Sequence, residues 1–331
     1  MSTIEEANFY IVCPPPPVTT TTTTTGGYIF AGYFTFPGYV DKINPSTMSL
    51  VKTFTALSGH DDVHGLTSLS GYLFAGYDAT PGYVDKIDPS TMSLVKTFTP
   101  SYAYVLSLTS LSGYIYAGYS TTPGYVDKIN PSTMTLVKTF TSPSNYKYVI
   151  ALTSLSGYVF ASYSTNPTRI YKISPSTMSL VKTFTAPTGH GLTYGLTSLS
   201  GYLFAGYLTN PGYVDKIDPS TMSLVKTFKS THSRVIPLTS LSGYVFAGYS
   251  TAPGYVDKIN PSTMSLVKTF TAPSGHNYVY ALTSLSGYVF AGYDTSPGYV
   301  DKIDSMTMSL VKTFTPPSTH VSVFALTSLA T

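Results

Sequence analysis

Residues Gly71–Phe98 read GYLFAGYDATPGYVDKIDPSTMSLVKTF, and this stretch returns seven times along the chain with few changes. The tyrosine after its first glycine falls at Tyr28, Tyr72, Tyr114, Tyr158, Tyr202, Tyr244 and Tyr288, at steps of 44, 42, 44, 44, 42 and 44 residues. A fixed period of this size marks an array in which each unit buries its apolar face on the next. Turn signals cut the unit into four short strands. Strand a holds Leu66 to Leu69 and the residues just before them, and Ser70-Gly71 is a two-residue turn that needs positive φ. Strand b runs from Tyr72 to Tyr77, with Leu73, Ala75 and Tyr77 on one face and Tyr72, Phe74 and Gly76 on the other. A Pro-Gly loop leads to strand c, Tyr83 to Asp88. Pro89 to Met92 then turn the chain into strand d, Ser93 to Thr99. No segment has helical apolar spacing. Four antiparallel strands per ~43 residues predict an all-β, seven-bladed β-propeller.

The ends of the array support that reading. The repeats enter at strand b (Gly27, Tyr28) and finish on a lone strand a (Val321 to Leu329). The last segment thus supplies the strand that the first blade lacks, and its pairing beside Tyr28 to Tyr33 is expected to close the ring and remove an open edge. Residues 1–26 share nothing with the repeat: Pro14 to Pro17 favour an extended path and Thr19 to Thr25 form a low-complexity tract. They read as a tail or tether preceding a propeller of residues 27–331. The threonine tract is a rival for the place beside strand b, although it lacks core-filling leucines.

Charged residues make up 10% of the 331-residue chain, against about 25% in an average soluble protein. A formal charge of +3, evenly spread, leaves no nucleic-acid footprint. No apolar run approaches the ~18 residues of a membrane helix, and the start MSTIEEANFYIV lacks the basic region of a signal peptide. Location is left open between the cytoplasm and a virion or surface assembly. Cys13 is the only cysteine, so no internal disulfide exists.

The string GHDDVHGLTSLSGYLFAGY, followed by YVDKIDPSTMSLVKTF, resembles a WD40 repeat, with Gly-His before strand a, spaced aliphatics in it, and Asp-x-Ser-Thr after strand c. The Val-x-x-Ile-Asp-x-x-Thr-x-x-Leu-Val pattern is similar to YVTN-type surface propellers. The resemblance covers residues 27–331 and implies a binding platform. Ile87 stands where the WD40 pattern has tryptophan, which breaks the His–Asp–Ser/Thr–Trp network of that family.

Three constellations stand out. Asp88 facing Ser93 would place Asp85 opposite Lys96, an opposed pair present in six blades, with Tyr171 against Lys182 in the fourth. Six residues before the first leucine of each strand a stand His60, Tyr102, Tyr146, His190, His232, His276 and His320, expected as a ring near the channel mouth. Third, the a–b and c–d turns scarcely vary between repeats, whereas the d–a and b–c segments differ strongly. In an up-and-down blade these two variable sets emerge together, so one face is individualised, as binding loops on a rigid scaffold are. Its candidate contacts are Asp61, Asp62, Tyr104, Lys147, Tyr148, Arg169, Tyr194, Lys229, Arg234, Tyr278 and Tyr280.

The fourth blade alone breaks the repeat's polarity, with Ser162, Thr168, Arg169 and Tyr171 in place of Gly, Gly, Tyr and Asp. No metalloprotease, nucleophile-elbow or phosphate-loop motif is present. The sequence therefore reads as a non-enzymatic scaffold that needs no cofactor or metal. Its expected partner is a protein or another copy of itself, in a filament, virion or surface assembly. A lectin-like propeller is the alternative and a propeller hydrolase or lactonase the second.

Overall fold

Seven four-stranded antiparallel sheets follow one another around a ring. The structure is a computed structural model that describes residues 26–143 and 146–330. The tail expected at 1–26, its threonine tract and Cys13 lie outside these residues except for Gly26. In the second blade the strands are Val63–Leu69, Tyr72–Tyr77, Tyr83–Asp88 and Ser93–Phe98, in the spatial order a-b-c-d. Ser70 and Gly71 both take positive φ, +50° and +80°, as the tight a–b turn requires. The terminal strand Val323–Ala330 pairs with Gly27–Tyr33, Tyr28 opposite Leu329 and Ala31 opposite Leu326, so the ring closes as expected.

The expected Asp85–Lys96 pairing does not form. Asp88 faces Ser93 and Ile87 faces Leu94, but the register then shifts, so Lys86 opposes Lys96 and Asp85 opposes Thr97. Val95 is the extra residue of this bulge. The same shift recurs in the other blades, including the fourth, where Tyr171 meets Thr183 rather than Lys182.

The core lies between blades rather than within one. Leu73, Ala75, Tyr77, Ile87 and Met92 of the second blade pack on Phe30, Val40 and Phe54 of the first. Phe74, Val84 and Phe98, on the opposite face, pack on Ile115, Tyr119 and Met134 of the third. Strand b is thus buried on both sides, which explains an almost continuous apolar run where a strand with one face in solvent would alternate.

Two circuits of hydrogen bonds run around the ring. Each strand-c lysine reaches a backbone carbonyl in the next blade's c–d turn, as from Lys42 to Pro89 and Lys86 to Pro131. The circuit continues through Lys128, Lys172, Lys216 and Lys258 and ends with Lys302 donating to Pro45. Each ammonium also sits 3.8–4.0 Å above the ring of the repeat's first tyrosine, Tyr72 under Lys86 for example. Nearer the channel, the strand-a serines link in the same way: Ser110 donates to Ser68 O, and Ser68 to Ser328 O across the closure. Five further serine links complete the circle.

Candidate binding face and its central cup

The d–a and b–c segments do emerge on one face and are knitted by backbone hydrogen bonds. Gly38 N donates to His60 O, Asp62 N to Thr35 O, and Asp78 N to Asp62 O. Equivalent bonds tie Tyr104 to Ala79 and Tyr148 to Thr121. The seven predicted ring residues sit inside this fabric and do not line the channel mouth. Each stacks on the residue that opens strand c: His60 on Tyr83 at 3.8 Å, Tyr102 on Tyr125 at 4.0 Å, His232 on Tyr255 at 3.9 Å. His190, His276 and His320 do likewise, and Tyr146 meets Arg169 at 5.0 Å.

Four of these histidines reach the aspartate that the bulge has turned inward. His60 Nδ1 lies 2.9 Å from Asp85 Oδ2, and the same contact joins His190 to Asp215, His276 to Asp301 and His320 to Asp41. The other carboxylate oxygen accepts from a strand-d threonine, Thr97 for Asp85 at 2.6 Å. A His–Asp–Thr network therefore exists despite the missing tryptophan, with tyrosine stacked on the imidazole. Where the d–a segment is two residues shorter the network changes. Asp257 accepts from Ser230 at 3.2 Å rather than from a histidine, while Tyr249 and Tyr119 donate to Asp257 and Asp127 as Tyr207 and Tyr293 do to Asp215 and Asp301 in the longer blades. Burial raises the Asp127 pKa, opposed by its bonds from Thr139 and Tyr119.

The fourth blade replaces the whole set. Tyr146 and Tyr171 meet edge-on at 6.0 Å where other blades have His and Asp. Burial pushes the Tyr171 hydroxyl up to about 12. Ser162 is fully buried and engages Ala151 and Thr193, while Thr168 donates to Gly191 O at 2.7 Å. These hydroxyls tie adjacent loops together and offer no exposed nucleophile.

The channel mouth is lined by a different ring, two residues before the leucine rather than six: His64, Leu106, Ile150, Tyr194, Ile236, Tyr280 and Phe324. With Ser120, Tyr148 and Ser164 they enclose a cup of about 410 Å³. A cavity of about 190 Å³ shares this ring and reaches Leu66, Leu108, Leu152, Leu196, Leu238, Leu282 and Leu326. The leucines are the repeat; the residues above them are all but individual. One wall is aromatic, with Phe324 within 4.8–5.1 Å of Tyr280, His64 and Phe34. Its signal in the sequence is the period-2 neighbour of each leucine on the innermost strand.

Of the variable-loop candidates, Tyr148, Tyr194 and Tyr280 line the cup. Asp62, Tyr104, Tyr148, Arg234 and Tyr278 share one backbone feature, positive φ between 41° and 61°. Such φ is uncommon for bulky side chains and costs free energy, yet three of the five are tyrosines, each exposed. Lys147 opens its strand opposite Ser164 and is exposed. Two candidates sit apart from the cup: Lys229 ends an outer strand opposite Tyr213, and Arg169 packs on Tyr146.

The acidic corner of Asp61, Asp62 and Asp78 gives the face a pH response. Burial, then the charges of Asp78 and Asp61, raise the Asp62 carboxyl from 3.8 to about 7, and its Oδ1 is buried without a hydrogen-bond partner. The folded state therefore holds this proton more tightly than the unfolded chain. Its contribution to stability is present at low pH and is lost as pH rises through about 7. Asp62→Asn should match the parent's melting temperature near pH ~4 and exceed it near pH ~8. A parallel pair of melting-temperature profiles would contradict this.

Among solved structures, the crystal structure of the computationally designed Ika8 protein is similar at a TM-score of 0.64 and 14% identity, covering 91% of this chain and 90% of that one. The fold is a β-propeller. No family model matches the chain, and no curated protein is similar to it in sequence. The WD40-like and YVTN-like likenesses thus remain likenesses of pattern. Among the described residues no helix is long and apolar enough to cross a membrane, and no group of three metal-ligating side chains is present.

Proposed function

We propose that this protein is a non-enzymatic binding scaffold whose individualised face seats a protein partner, with the central cup receiving an apolar or aromatic side chain of that partner. One observation carries the reading: a near-perfect sevenfold framework supports a cup whose lining differs from blade to blade. Symmetry would suffice for stability, so the individual residues are the part free to serve recognition. The exposed Tyr104, Tyr148, Tyr194 and Tyr278 around it are of the type enriched at protein interfaces. An aromatic-walled pocket at the centre with exposed tyrosines about it is the arrangement in which a few central residues dominate binding.

Peptides selected from a random displayed library on the full chain test this. Enriched sequences should share an apolar or aromatic position, and Tyr194→Ala with Tyr280→Ala should weaken them by at least ~30-fold, the equivalent of a hot spot of about 2 kcal/mol. Peptides that bind the double variant equally well, or no enrichment at all, would overturn the assignment.

A further inference from the structure

The aromatic wall of the cup does not stop at the mouth. Tyr280 and Phe324 meet at 4.8 Å, Phe324 and Phe34 at 5.1 Å, and Phe34 and Phe36 at 6.4 Å. This line climbs out over the b–c loop of the first blade and ends on Phe36, which is 73% exposed. The repeat does not require it: the position of Phe36 holds Thr80, Thr122, Asn166, Asn210, Ala252 or Ser296 in the other blades. Exposed aromatic side chains that continue the wall of a pocket form a contact surface, unlike apolar residues scattered singly.

Carboxylates border the line on its second-blade side. Thr35 O, between the two phenylalanines, accepts from Asp62 N, and Asp62 O accepts from Asp78 N. His64 lies 6.0 Å from Phe34, and its Nε2 is 3.4 Å from Asp78 Oδ2. Asp61 and Asp78 are half-buried, whereas Asp62 is buried with Oδ1 unpartnered. Among the described residues no lysine or arginine pairs with any of the three. The charges that act on Asp62 are those of Asp78 and Asp61, with no cation among them. An anionic partner is therefore repelled here. A purely apolar one would cover Phe36 only by desolvating carboxylates that it leaves unpaired, which is costly. A cation next to apolar side chains satisfies both features, and an arginine can also lie over an exposed ring. The chain's own residues 1–25 hold Glu5 and Glu6 and no lysine or arginine, so they do not supply that cation.

We propose that the rim of the first blade is the docking strip for a basic segment of the protein partner, whose chain leaves the cup along Phe34 and Phe36 and sets a lysine or arginine against Asp61 and Asp78. The proposal rests on the protein-binding reading of this face and adds the partner's charge and the direction in which its chain runs. The basic residue falls about two to four positions from the one seated in the cup, at ~3.3 Å per residue of extended chain.

The test is selection of a random displayed peptide library on the full chain at low salt and pH ~8, where Asp62 is ionised. Enriched peptides should carry a lysine or arginine at about that spacing from their apolar or aromatic residue. The most enriched sequence, made as a free peptide, should bind Asp61→Asn with Asp78→Asn about 3- to 30-fold more weakly and with a flatter salt dependence. That variant should melt no lower than the parent, because the charges it removes repel Asp62. Replacing the peptide's basic residue by glutamine should cost a similar factor against the parent and little against the variant. Phe36→Ser should also weaken binding. Enriched peptides with an apolar position but no basic one, or an affinity indifferent to the double variant, would overturn this proposal and leave the reading of the cup standing. No enrichment would overturn both. Self-association of the full chain that Phe36→Ser abolishes would give the strip to a second copy and likewise overturn the proposal.

Discussion

Removal of residues 321–331 is expected to leave a chain that no longer melts cooperatively and that aggregates on concentration. The strand Val323–Ala330 is the whole of strand a in the first blade. Val323, Leu326 and Leu329 pack into the cores on either side; full burial of a side chain such as Val323 contributes about 1.5–3 kcal/mol, and the two half-buried leucines add less each. A typical domain is stable by only ~5–15 kcal/mol in total. The truncation also opens the serine circuit at both Ser68 and Ser328, and it exposes Gly27–Tyr33 as an apolar edge ready to pair with another chain. A synthetic peptide of residues 319–331 added in trans should restore a cooperative melt. A monomeric truncated chain with the parent's melting temperature would show that the closure contributes nothing.

That closure is legible in the sequence, because the repeats start one strand late and end one strand late. Strand identity is legible for the same kind of reason: alternation of Tyr-Leu-Phe-Ala-Gly-Tyr and the turn residues around it leave little freedom. The bulge at Val95, by contrast, is invisible because Ser-Leu-Val-Lys-Thr-Phe alternates equally well with or without one extra residue, and a one-residue shift moves Lys96 away from Asp85. Once the shift is known, the rest follows. Asp85 is turned toward the preceding loop and His60, and the lysine next to it in sequence, Lys86, is turned toward the next blade. The acceptor of that lysine is a backbone carbonyl 45 residues away, for which a side-chain pattern carries no signal. The histidine ring draws attention because imidazoles carry chemistry, yet the cup belongs to Leu106, Ile150, Ile236 and their aromatic neighbours. Side chains that look like core in a sequence line a site here because strand a faces a channel.

The individualised and uniform faces also differ in how their residues are held. On the uniform face, the c–d turns are clasped by lysines and capped by their own Asp or Asn, so their side chains are fixed by the fold. On the opposite face the backbone is fixed by loop-to-loop bonds that leave the side chains at positions 104, 148 and 278 exposed. Substitution there alters the surface without touching the hydrogen bonds that hold the loop. The architecture thus permits one face to diverge while the ring stays intact.

The His–Asp–Thr network supplies the second large effect. Asp85 is fully buried and accepts from His60 and Thr97, so Asp85→Ala strands the buried His60 donor and the half-buried Thr97 hydroxyl and opens a void. Leaving a buried donor without its acceptor costs about 1–3 kcal/mol. A single change in one of seven blades should therefore lower the denaturation midpoint clearly. Asp85→Tyr alone should be at least as harmful, since the ring must enter a space occupied by the imidazole. The fourth blade shows how the same space can be filled otherwise, with Tyr146, Arg169 and Tyr171 in the places of His60, Tyr83 and Asp85. There the Arg169 guanidinium lies over the Tyr146 ring, replacing the imidazole–tyrosine stack, and two phenols replace the His–Asp contact. The triple variant His60→Tyr, Tyr83→Arg, Asp85→Tyr should accordingly be more stable than Asp85→Tyr alone, with a coupling of ~0.5–3 kcal/mol by denaturant titration. If the three changes add without coupling, the fourth blade owes its stability to Ser162 and Thr168 instead. A midpoint for Asp85→Ala equal to the parent's would mean that the network's buried hydrogen bonds are replaced by water at no cost.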